Sequence, residues 1–564
     1  MSNVFFIVLR RMRAPLIVLI VIYAVSILGL VLIPGVDAQS NPANMSFFHA
    51  FYFISYTATT IGFGELPYTF TDAQRLWVMF SIYLSVVGWS YSILTLLALL
   101  QDRGFRQVLI TWRFCRKIQR LTEPFYLVCG YGETGSLLCK ALDRLGICFV
   151  VVDADENRLN ELGLEDFTTD TPYLAADVRS PQTLLLAGLQ YPDCKGVIAV
   201  TNDDSANLAV AIAVRLLNPS VPVLCRAETQ ETVANMASFG TDHIINPYET
   251  YGEYLALAVR APGCYRLHEW LTAVPGSSLR DETEPPRGPW IVCGYGRFGK
   301  SVVKNLDKEG VQITVIDPSP ALVCEQQHFI GLGTDAETLR QAGADQAAGI
   351  VAGTESSVNN LSIAMTAREI NPRLFVLLRQ NTLANRALFE AFHADLTIVP
   401  SEIIAHECLA VLTTPLLARF LRIVKQQQDS WADMIIQQLQ KTIGSTAPTI
   451  WGVSLTATEA PALHRNLIAG DTGLVLEILL RDASNREEYL PCVPLLLIHE
   501  TQEIIRPGVD LRLASLDQIL FAGTPKARAL QSLTLQNVNV SDYVRFGKDV
   551  PGGWIWQWLN RPLT

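Results

Sequence analysis

The sequence predicts a two-span α-helical membrane domain with a re-entrant helix, followed by two Rossmann-like α/β lobes and a small α+β lobe. Three observations predict this fold class. Two apolar runs of bilayer length lie at residues 14–33 and 76–100. A short glycine-containing motif lies between them, and a Gly-x-Gly-x-x-Gly pattern that follows a buried-strand pattern occurs twice further along the chain.

The two apolar runs have the length and composition of membrane spans. Residues 14–33 form an uncharged run of 20 residues, which matches the hydrocarbon thickness of a bilayer. Residues 76–100 contain no Lys, Arg, Asp or Glu and are long enough to cross with some tilt. Residues 45–57 are apolar but too short to span, as a re-entrant helix surrounded by protein or water would be. We therefore predict a membrane domain over residues 1–100.

The motif between the spans has the composition of a potassium selectivity filter. A filter needs successive backbone carbonyls that point at one axis and replace the water shell of the ion. Such carbonyls require alternating left-handed dihedrals, which only glycine adopts without steric cost. Gly62 and Gly64 provide this alternation, and the Thr60 hydroxyl can add an oxygen. The predicted filter is Thr60, Ile61, Gly62, Phe63 and Gly64.

The filter interpretation makes the predicted membrane domain a two-span pore, with residues 45–57 as its pore helix, and K⁺ the ion in the filter. Because four filters must converge on one axis, we also expect a homotetramer. The alternative, a simple loop that joins two helices, does not account for the threonines or for the location of the motif. Leu94, Leu97 and Ala98 lie at helical spacing near the cytoplasmic end of the second span, where four helices could converge as an apolar gate.

The distribution of basic residues predicts the orientation in the membrane. Arg10, Arg11 and Arg13 precede the first span, six Lys or Arg residues lie at 103–120, and residues 34–74 contain none. The positive-inside rule then places both termini in the cytoplasm and Glu65 outside. We expect a multi-pass protein of the cell inner membrane that contacts membrane lipid.

Composition excludes other classes of protein. The net charge is −10, and no long basic patch exists outside the juxtamembrane segments, which argues against a nucleic-acid partner. All 11 cysteines lie at or after Cys115, as expected of reduced thiols in the cytosol. No Cys-x-x-Cys pair suggests a zinc site.

The rest of the chain is an internal duplication. Gly130, Gly132 and Gly135 recur 164 residues later as Gly294, Gly296 and Gly299, and Asp153 recurs as Asp317. Later positions recur at a spacing of 153, for example Arg226 with Arg379. We predict a linker at 101–122, a first lobe at 123–281, a linker at 282–289, a second lobe with its crossover helix at 290–426, and a C-terminal lobe at 427–564. Residues 403–426 are predicted to form one helix.

Each copy has the features of a dinucleotide-binding turn. The first glycine allows the tight strand-to-helix turn, the second lets the backbone approach a pyrophosphate, and the third lets the helix pack on the strand. Asp153 and Asp317 can accept hydrogen bonds from ribose hydroxyls, and the helix N-terminus favours phosphate. The alternative is a fold that keeps its glycines for packing and binds no ligand.

The two turns differ in charge. Arg297 in the second turn could bind a phosphate. Glu133 in the first turn would repel a terminal phosphate unless it points away or holds a cation, and Arg158 could compensate from beside the ribose end. These side chains could instead be solvated or paired with neighbouring protein groups.

With these motifs the chain resembles the prokaryotic ligand-gated potassium channels that carry tandem RCK (regulator of potassium conductance) domains. The resemblance implies a gating ring of eight lobes that responds to NAD, ADP or divalent cations such as Ca²⁺, and an inner-helix hinge at Gly88. Two positions depart from the pattern of the family. Phe63 replaces a tyrosine, which removes a bracing hydroxyl, and Glu65 replaces an aspartate. Neither change removes a carbonyl from the ion path.

Two other functions are compatible with parts of the sequence. A potassium-uptake transporter subunit is the first, but transporters of that type carry four pore repeats per chain and this chain has one. An NAD-dependent oxidoreductase is the second. The chain lacks a convincing substrate domain, and no His with a paired carboxylate stands out as a proton relay, since His243, His328 and His393 are isolated. We therefore predict a ligand-gated potassium channel without enzymatic activity. The sequence identifies no metal-ligating residues.

Overall fold

The computed structural model describes residues 2–36, 42–65, 69–273, 276, 284–319, 325–468, 473–500 and 502–547. The chain divides into two compact units, Met1–Leu121 and Thr122–Thr564.

The first unit is helical. Its helices are α1 (Ser2–Leu32), α2 (Phe47–Ala58), α3 (Asp72–Gln101) and α4 (Arg103–Ile118), and its short antiparallel strands are β1 (Gly35–Val36) and β2 (Pro42–Ala43). Met12–Leu32 and Asp72–Gln101 are long and apolar enough to cross a membrane. Only 28% and 22% of their most apolar windows are buried, so neither resembles the core helix of a soluble protein. Their exposed apolar side chains fit a lipid environment.

Side-chain caps define the helix boundaries in this unit. Thr71 and Gln74 form a capping box at the start of α3, in which each side chain bonds the backbone N–H of the other residue. Asp102 ends α3 and begins α4, because its carboxylate accepts the Phe105 N–H at 3.0 Å. The segment predicted as a linker at 101–122 therefore contains a 16-residue helix.

The first lobe of the second unit is built on a six-stranded parallel sheet, as the sequence predicts. Its strands are β3 (Phe125–Cys129), β4 (Cys148–Asp153), β5 (Tyr173–Ala175), β6 (Cys194–Ala199), β7 (Val223–Arg226) and β8 (His243–Ile245). Their order in the sheet is β5-β4-β3-β6-β7-β8. The helices that connect them are α5 (Glu133–Arg144), α6 (Glu156–Leu162), α7 (Pro181–Leu186), α8 (Asp204–Leu217) and α9 (Gln230–Ser238). The order reverses direction beside β3, where the first glycine turn lies.

The second lobe repeats this topology. Its strands are β9 (Trp290–Cys293), β10 (Ile313–Asp317), β11 (Gln327–Ile330), β12 (Gly349–Ala352), β13 (Phe375–Arg379) and β14 (Leu396–Ile398), in the order β11-β10-β9-β12-β13-β14. Its helices are α12 (Arg297–Lys308), α13 (Ala336–Gln341), α14 (Ser357–Ile370) and α15 (Arg386–Phe392), the last preceded by a 3₁₀ turn at Leu383–Asn385. The two Rossmann-like lobes predicted from the repeat are confirmed.

The helix that follows each sheet packs on the other lobe. The first sheet is followed by α10 (Pro247–Arg260) and α11 (Pro262–Thr272), and the second by α16 (Pro400–Thr413) and α17 (Pro415–Val424). Tyr251 and Leu255 of α10 belong to the core of the second lobe, and Ile404 and Cys408 of α16 belong to the core of the first. The two lobes are therefore joined by an exchange of helices, which buries an apolar face of each helix in its partner.

The prediction of one helix at 403–426 is wrong. The chain forms α16 and α17, separated at Thr414, because Pro415 cannot continue the hydrogen bonds of α16 and instead takes the first position of α17.

The C-terminal lobe, residues 427–547, is a small α+β domain. Its strands are β15 (Thr449–Ser454), β16 (Cys492–His499), β17 (Gln502–Ile505) and β18 (Gln518–Gly523), in the antiparallel order β15-β18-β16-β17. Its helices are α18 (Asp429–Ile443), α19 (Pro461–Ile468), α20 (Glu477–Leu480), α21 (Pro525–Gln536) and α22 (Val538–Phe546). Trp270 of α11 is buried in the same core as β16 and β18, so the C-terminal lobe also covers the end of the first lobe.

Candidate functional site

The predicted filter segment has an alternating backbone. Thr60, Gly62 and Gly64 have φ values of 60°, 62° and 72°, all in the left-handed region. The sequence predicts this conformation at the two glycines but gives no sign of it at Thr60, where a β-branched residue is strained. Three left-handed residues, each separated by one residue, give the alternation on which a row of carbonyls along one side of the chain depends.

Helix α2 braces this segment from one side. The Ile61 and Gly62 N–H groups both donate to the Tyr56 carbonyl, at 3.0 and 3.1 Å. The Tyr56 hydroxyl donates to the Glu65 carbonyl at 2.7 Å, and its ring meets the Phe63 ring edge-on. Tyr56 therefore contacts the predicted filter segment through its carbonyl, its hydroxyl and its ring.

The predicted hinge and gate residues lie on α3. Gly88 is buried, and a Cβ there would lie 2.5 Å from the terminal methyl of Ile22, so a larger residue at this position would displace that side chain where α1 and α3 meet. Leu94 and Leu97 are exposed in the isolated chain, as is Ala98. Their arrangement into a gate stays a prediction.

In each predicted nucleotide turn, the first and third positions require glycine for different structural reasons. Gly130 and Gly294 have φ values of 105° and 94°, which demand glycine. A Cβ at Gly135 would lie 2.0 Å from the Gly130 carbonyl oxygen, so the third glycine is needed for packing.

The second glycine of each turn is different. A Cβ at Gly132 would make only an ordinary 3.4 Å contact with Arg158, and one at Gly296 would meet no atom of the described residues within 4 Å. Both residues have negative φ, −79° and −71°. The fold alone does not require glycine at these two positions, whereas close approach of a ligand to the backbone does.

The predicted acids hold the turns in shape. Asp153 accepts the Tyr131 N–H at 2.5 Å and the Asp155 N–H at 2.7 Å, and it is almost fully buried. Asp317 accepts the Tyr295 N–H at 2.7 Å and the Ser319 N–H at 2.9 Å. Each carboxylate oxygen retains a second lone pair for a ligand hydroxyl.

Arg158 lies beside the first turn. Its guanidinium is 3.8 Å from Asp153 and 3.6 Å from Asp155, and it borders the space next to Gly132. It therefore partly neutralises the acids beside the turn, and its predicted role in offsetting the charge of Glu133 toward a phosphate stays a prediction.

The charged residues that begin α5 and α12 reach across to the opposite lobe. Glu133 accepts the backbone N–H of Leu383 at 3.0 Å, so it points away from its own turn. Arg297 forms a 2.6 Å ion pair with Glu228, which follows β7. Glu133 and Arg297 occupy equivalent positions of the repeat, 164 residues apart, and both bond a segment just beyond the fifth strand of the opposite lobe.

Sequence reasoning did not identify the partners of Arg297 as site residues. Glu228 also accepts a hydrogen bond from Arg226, and Arg379 is buried between the rings of Tyr248 and Phe298. Burial lowers the pKa of Arg379 and raises that of Tyr248. The internal repeat pairs Arg226 with Arg379, and this was the one sequence feature that could have indicated that the two arginines have related roles. No local sequence feature predicts that Glu228 faces Arg297.

Other chemistry is sparse in the described ranges. They contain no group of three or more His, Cys, Asp or Glu residues that could hold a metal ion. The sequence did not reveal one acid–base pair: His499 Nδ1 lies 2.9 Å from the buried carboxylate of Asp517 in the C-terminal lobe. This pair lies outside both glycine turns.

Comparison with known families decides the domain composition. Residues 16–102 match the ion channel family, and residues 126–247 and 290–400 each match the TrkA-N domain. The chain therefore contains one domain of the ion channel family and two TrkA-N domains. The domain composition inferred from the motifs is thereby confirmed, and the matches with the two candidate spans show a two-span membrane protein.

Relatives of this chain include two proteins of Methanocaldococcus jannaschii. Potassium channel protein 1 is 28% identical over 37% of the chain, and probable potassium channel protein 2 is 26% identical over 39%. The aligned part spans 61% and 62% of those two proteins. Among solved structures, the GsuK channel bound to NAD is 15% identical, with a TM-score of 0.47, over 96% of this chain and 100% of that one.

Proposed function

We propose that this chain is one protomer of a potassium-selective channel whose opening is controlled by an adenine nucleotide, NAD or ADP, bound at the glycine turns. The observation that carries the proposal is the left-handed backbone at Thr60, Gly62 and Gly64, between two helices of membrane length. Strain of this kind at a non-glycine residue is kept where function needs it.

The assembly that this function needs is a homotetramer. One protomer supplies one filter strand and one inner helix, and a closed ion path requires four. The basic residues in the first turns of α1 and those after α3 favour a cytoplasmic location for both termini and for the TrkA-N lobes. The spans would then lie in the inner membrane, in contact with its lipid. The single pore repeat in the chain favours a channel over an uptake transporter.

The regulatory ligand is inferred from the turns. The second glycines, Gly132 and Gly296, leave room where a pyrophosphate approaches the backbone, and neither α5 nor α12 has a side-chain cap on its first turn. Asp153 and Asp317 lie at the position that meets a ribose. These features support a nucleotide ligand; a divalent cation such as Ca²⁺ remains a further candidate regulator without assigned residues.

Ion flux through purified, reconstituted protein tests the channel. We expect K⁺ flux that greatly exceeds Na⁺ flux and that changes when NAD or ADP is added to the cytoplasmic face. Gly62→Ala should abolish the flux or its selectivity, because alanine resists a φ of 62°. Equal permeability to Na⁺ and K⁺ in the parent protein would refute the proposal.

A further inference from the structure

Arg297 of the second glycine turn is placed for two competing interactions, one with a ligand phosphate and one with the opposite lobe. It is the first residue of α12, whose N-terminus is where a phosphate binds in this type of turn. Its guanidinium, however, is 2.6 Å from Glu228 of the first lobe. The side chain of Arg297 is 51% exposed, whereas that of Glu228 is only 8% exposed. Arg297 is therefore the partner with freedom to move.

Glu228 does not depend on Arg297 alone. Its other carboxylate oxygen accepts a hydrogen bond from Arg226, and its backbone N–H donates to Asp204 at 3.0 Å. Arg226 is itself fixed by a 2.6 Å bond from its guanidinium to Asn202. If Arg297 leaves, the charge of Glu228 is still neutralised, so the usual large penalty of breaking a buried pair does not apply in full.

We propose that Glu228 of the first lobe sets the affinity of the second glycine turn for nucleotide, because Glu228 and the phosphate compete for the guanidinium of Arg297. This inference rests on the nucleotide site proposed above. A ligand that draws Arg297 away weakens one bond between the lobes. By reciprocity, removing the charge of Glu228 must then strengthen ligand binding.

The first turn lacks this competition. The position equivalent to Arg297 is Glu133, which bonds the Leu383 backbone and offers a phosphate no positive charge. The two turns therefore transmit ligand binding to the opposite lobe differently, and only the second does so through a displaced ion pair.

The experiment measures ADP binding to the full-length purified protein by calorimetry. Every protein measured also carries Gly132→Ala, so that the calorimetry reports ADP binding at the second turn only. We expect Glu228→Gln to lower the dissociation constant by about fivefold or more, since typical couplings begin near that value. Glu228→Asp, which keeps the charge for Arg226 but shortens the reach toward Arg297, should give a smaller change in the same direction. Glu231→Gln, an exposed carboxylate in the same segment, is the matched control and should have no effect.

The effect must also depend on Arg297. In an Arg297→Ala background, Glu228→Gln should leave the dissociation constant unchanged. An unchanged constant in Glu228→Gln, or the same tightening without Arg297, would overturn the competition. If Gly296→Ala failed to remove the remaining ADP binding, the second turn would not be the nucleotide site, and the proposal for that turn and this inference would fall together. Loss of binding in Gly296→Ala with no response to Glu228→Gln would overturn the inference alone.

Discussion

The Tyr254 hydroxyl of α10 donates a hydrogen bond to the Glu407 carboxylate of α16. These two residues lie 153 residues apart, the same spacing that relates Arg226 to Arg379, so they occupy equivalent positions of the two copies. Two equivalent positions can touch only where the pseudo-twofold axis between the copies passes. The exchanged helices therefore meet on this axis, and the contact there is polar.

Removing the hydrogen bond between Tyr254 and Glu407 should destabilise the packing of the two lobes against each other. Tyr254 is almost fully buried, and Lys425 Nζ lies 4.7 Å from the centre of its ring. Tyr254→Phe leaves the Glu407 carboxylate without its donor, which should lower the free energy of unfolding by about 1–3 kcal/mol. Chemical denaturation of the detergent-solubilised protein, followed by tryptophan fluorescence, measures the change.

An exposed Tyr–Glu pair provides the control for this substitution. The Tyr489 hydroxyl donates to Glu477 at 2.5 Å, but Tyr489 is 54% exposed. Tyr489→Phe should change the same free energy by less than about 1 kcal/mol, because water replaces the lost partner. Equal effects of the two substitutions would contradict a special role for the contact on the axis.

Close packing between α10 and α12 gives a second prediction. A Cβ at Gly252 would lie 2.6 Å from the Ser301 hydroxyl, 2.7 Å from the Asn305 amide and 2.8 Å from the Ser301 carbonyl. Because one of these atoms is backbone, Gly252→Ala should force the helices apart and destabilise the second unit by about 1–3 kcal/mol. The melting temperature should fall accordingly. The equivalent position in α16 is Ala405, which already carries a methyl group, so Ala405→Gly should not stabilise the protein.

Substitutions at the second glycine of each turn should affect ligand binding without affecting folding. Gly132→Ala and Gly296→Ala have room for the added methyl, so each variant should keep the parent's melting temperature without ligand. Each methyl should hinder a pyrophosphate, so the rise in melting temperature produced by ADP or NAD should shrink in the variant of the occupied turn. Gly299→Ala is the contrasting variant. Its Cβ would lie 1.9 Å from the Gly294 carbonyl oxygen, and it should destabilise the fold with or without ligand.

Short sequence patterns correctly predicted the features of the fold that are determined by neighbouring residues, such as turns and strand ends. Gly130 and Gly294 mark strand-to-helix turns because the backbone there needs positive φ, and the repeat of Asp153 as Asp317 locates the ends of two equivalent strands. The fold class follows from such signals. The hinge at Gly88, which the family resemblance implies, stays a prediction, and the structure adds that a Cβ at this position would lie 2.5 Å from the end of the Ile22 side chain.

Relations between distant residues could not be predicted from the sequence. Whether α10 packs on its own sheet or on the other depends on the geometry of both lobes, and the pairing of Arg297 with Glu228 follows from that exchange. The break at Thr414 could have been predicted, because Pro415 follows it directly and favours a new helix start.

A buried histidine should make stability depend on pH. The ring of His268 of α11 lies against that of Tyr254 at a tilt of 49°, and burial, with a contribution from Lys425, lowers the pKa of His268 to about 3. The unfolded chain has an ordinary histidine pKa of about 6.5, so the stabilisation from keeping His268 neutral is complete above about pH 6.5. It is lost progressively as the pH falls toward 3. At about pH 5.5 the loss is about 1.4 kcal/mol.

Differences between variants isolate this contribution from other titrating groups. His268→Phe keeps an aromatic ring against Tyr254 and cannot be protonated, so the decline in melting temperature between pH 7 and pH 5 should be shallower than in the parent. His328→Gln, at an exposed position, should leave the decline unchanged. Identical slopes in the parent and His268→Phe would contradict the assignment.

The last prediction concerns the support of the filter. Tyr56 is buried, and its hydroxyl holds the Glu65 carbonyl at 2.7 Å, immediately after the left-handed Gly64. Tyr56→Phe removes this bond while keeping the ring against Phe63. The Glu65 carbonyl is then no longer held, so the backbone directly after Gly64 is less restrained and the Gly64 carbonyl is held less firmly toward the predicted ion path. A bond of this kind is worth about 0.5–1.5 kcal/mol, so the K⁺/Na⁺ permeability ratio should fall by about two- to tenfold.

Tyr52→Phe is the matched control, since the Tyr52 hydroxyl bonds the exposed Glu65 carboxylate at 3.1 Å and no backbone carbonyl. It should preserve the permeability ratio, and its effect should be confined to conductance, through the charge near the predicted outer mouth. Bi-ionic reversal potentials in planar bilayers measure the ratio directly. A ratio unchanged by Tyr56→Phe, or lowered equally by Tyr52→Phe, would mean that the filter backbone is held by other contacts, such as the Ile61 and Gly62 N–H bonds to the Tyr56 carbonyl, which both variants retain.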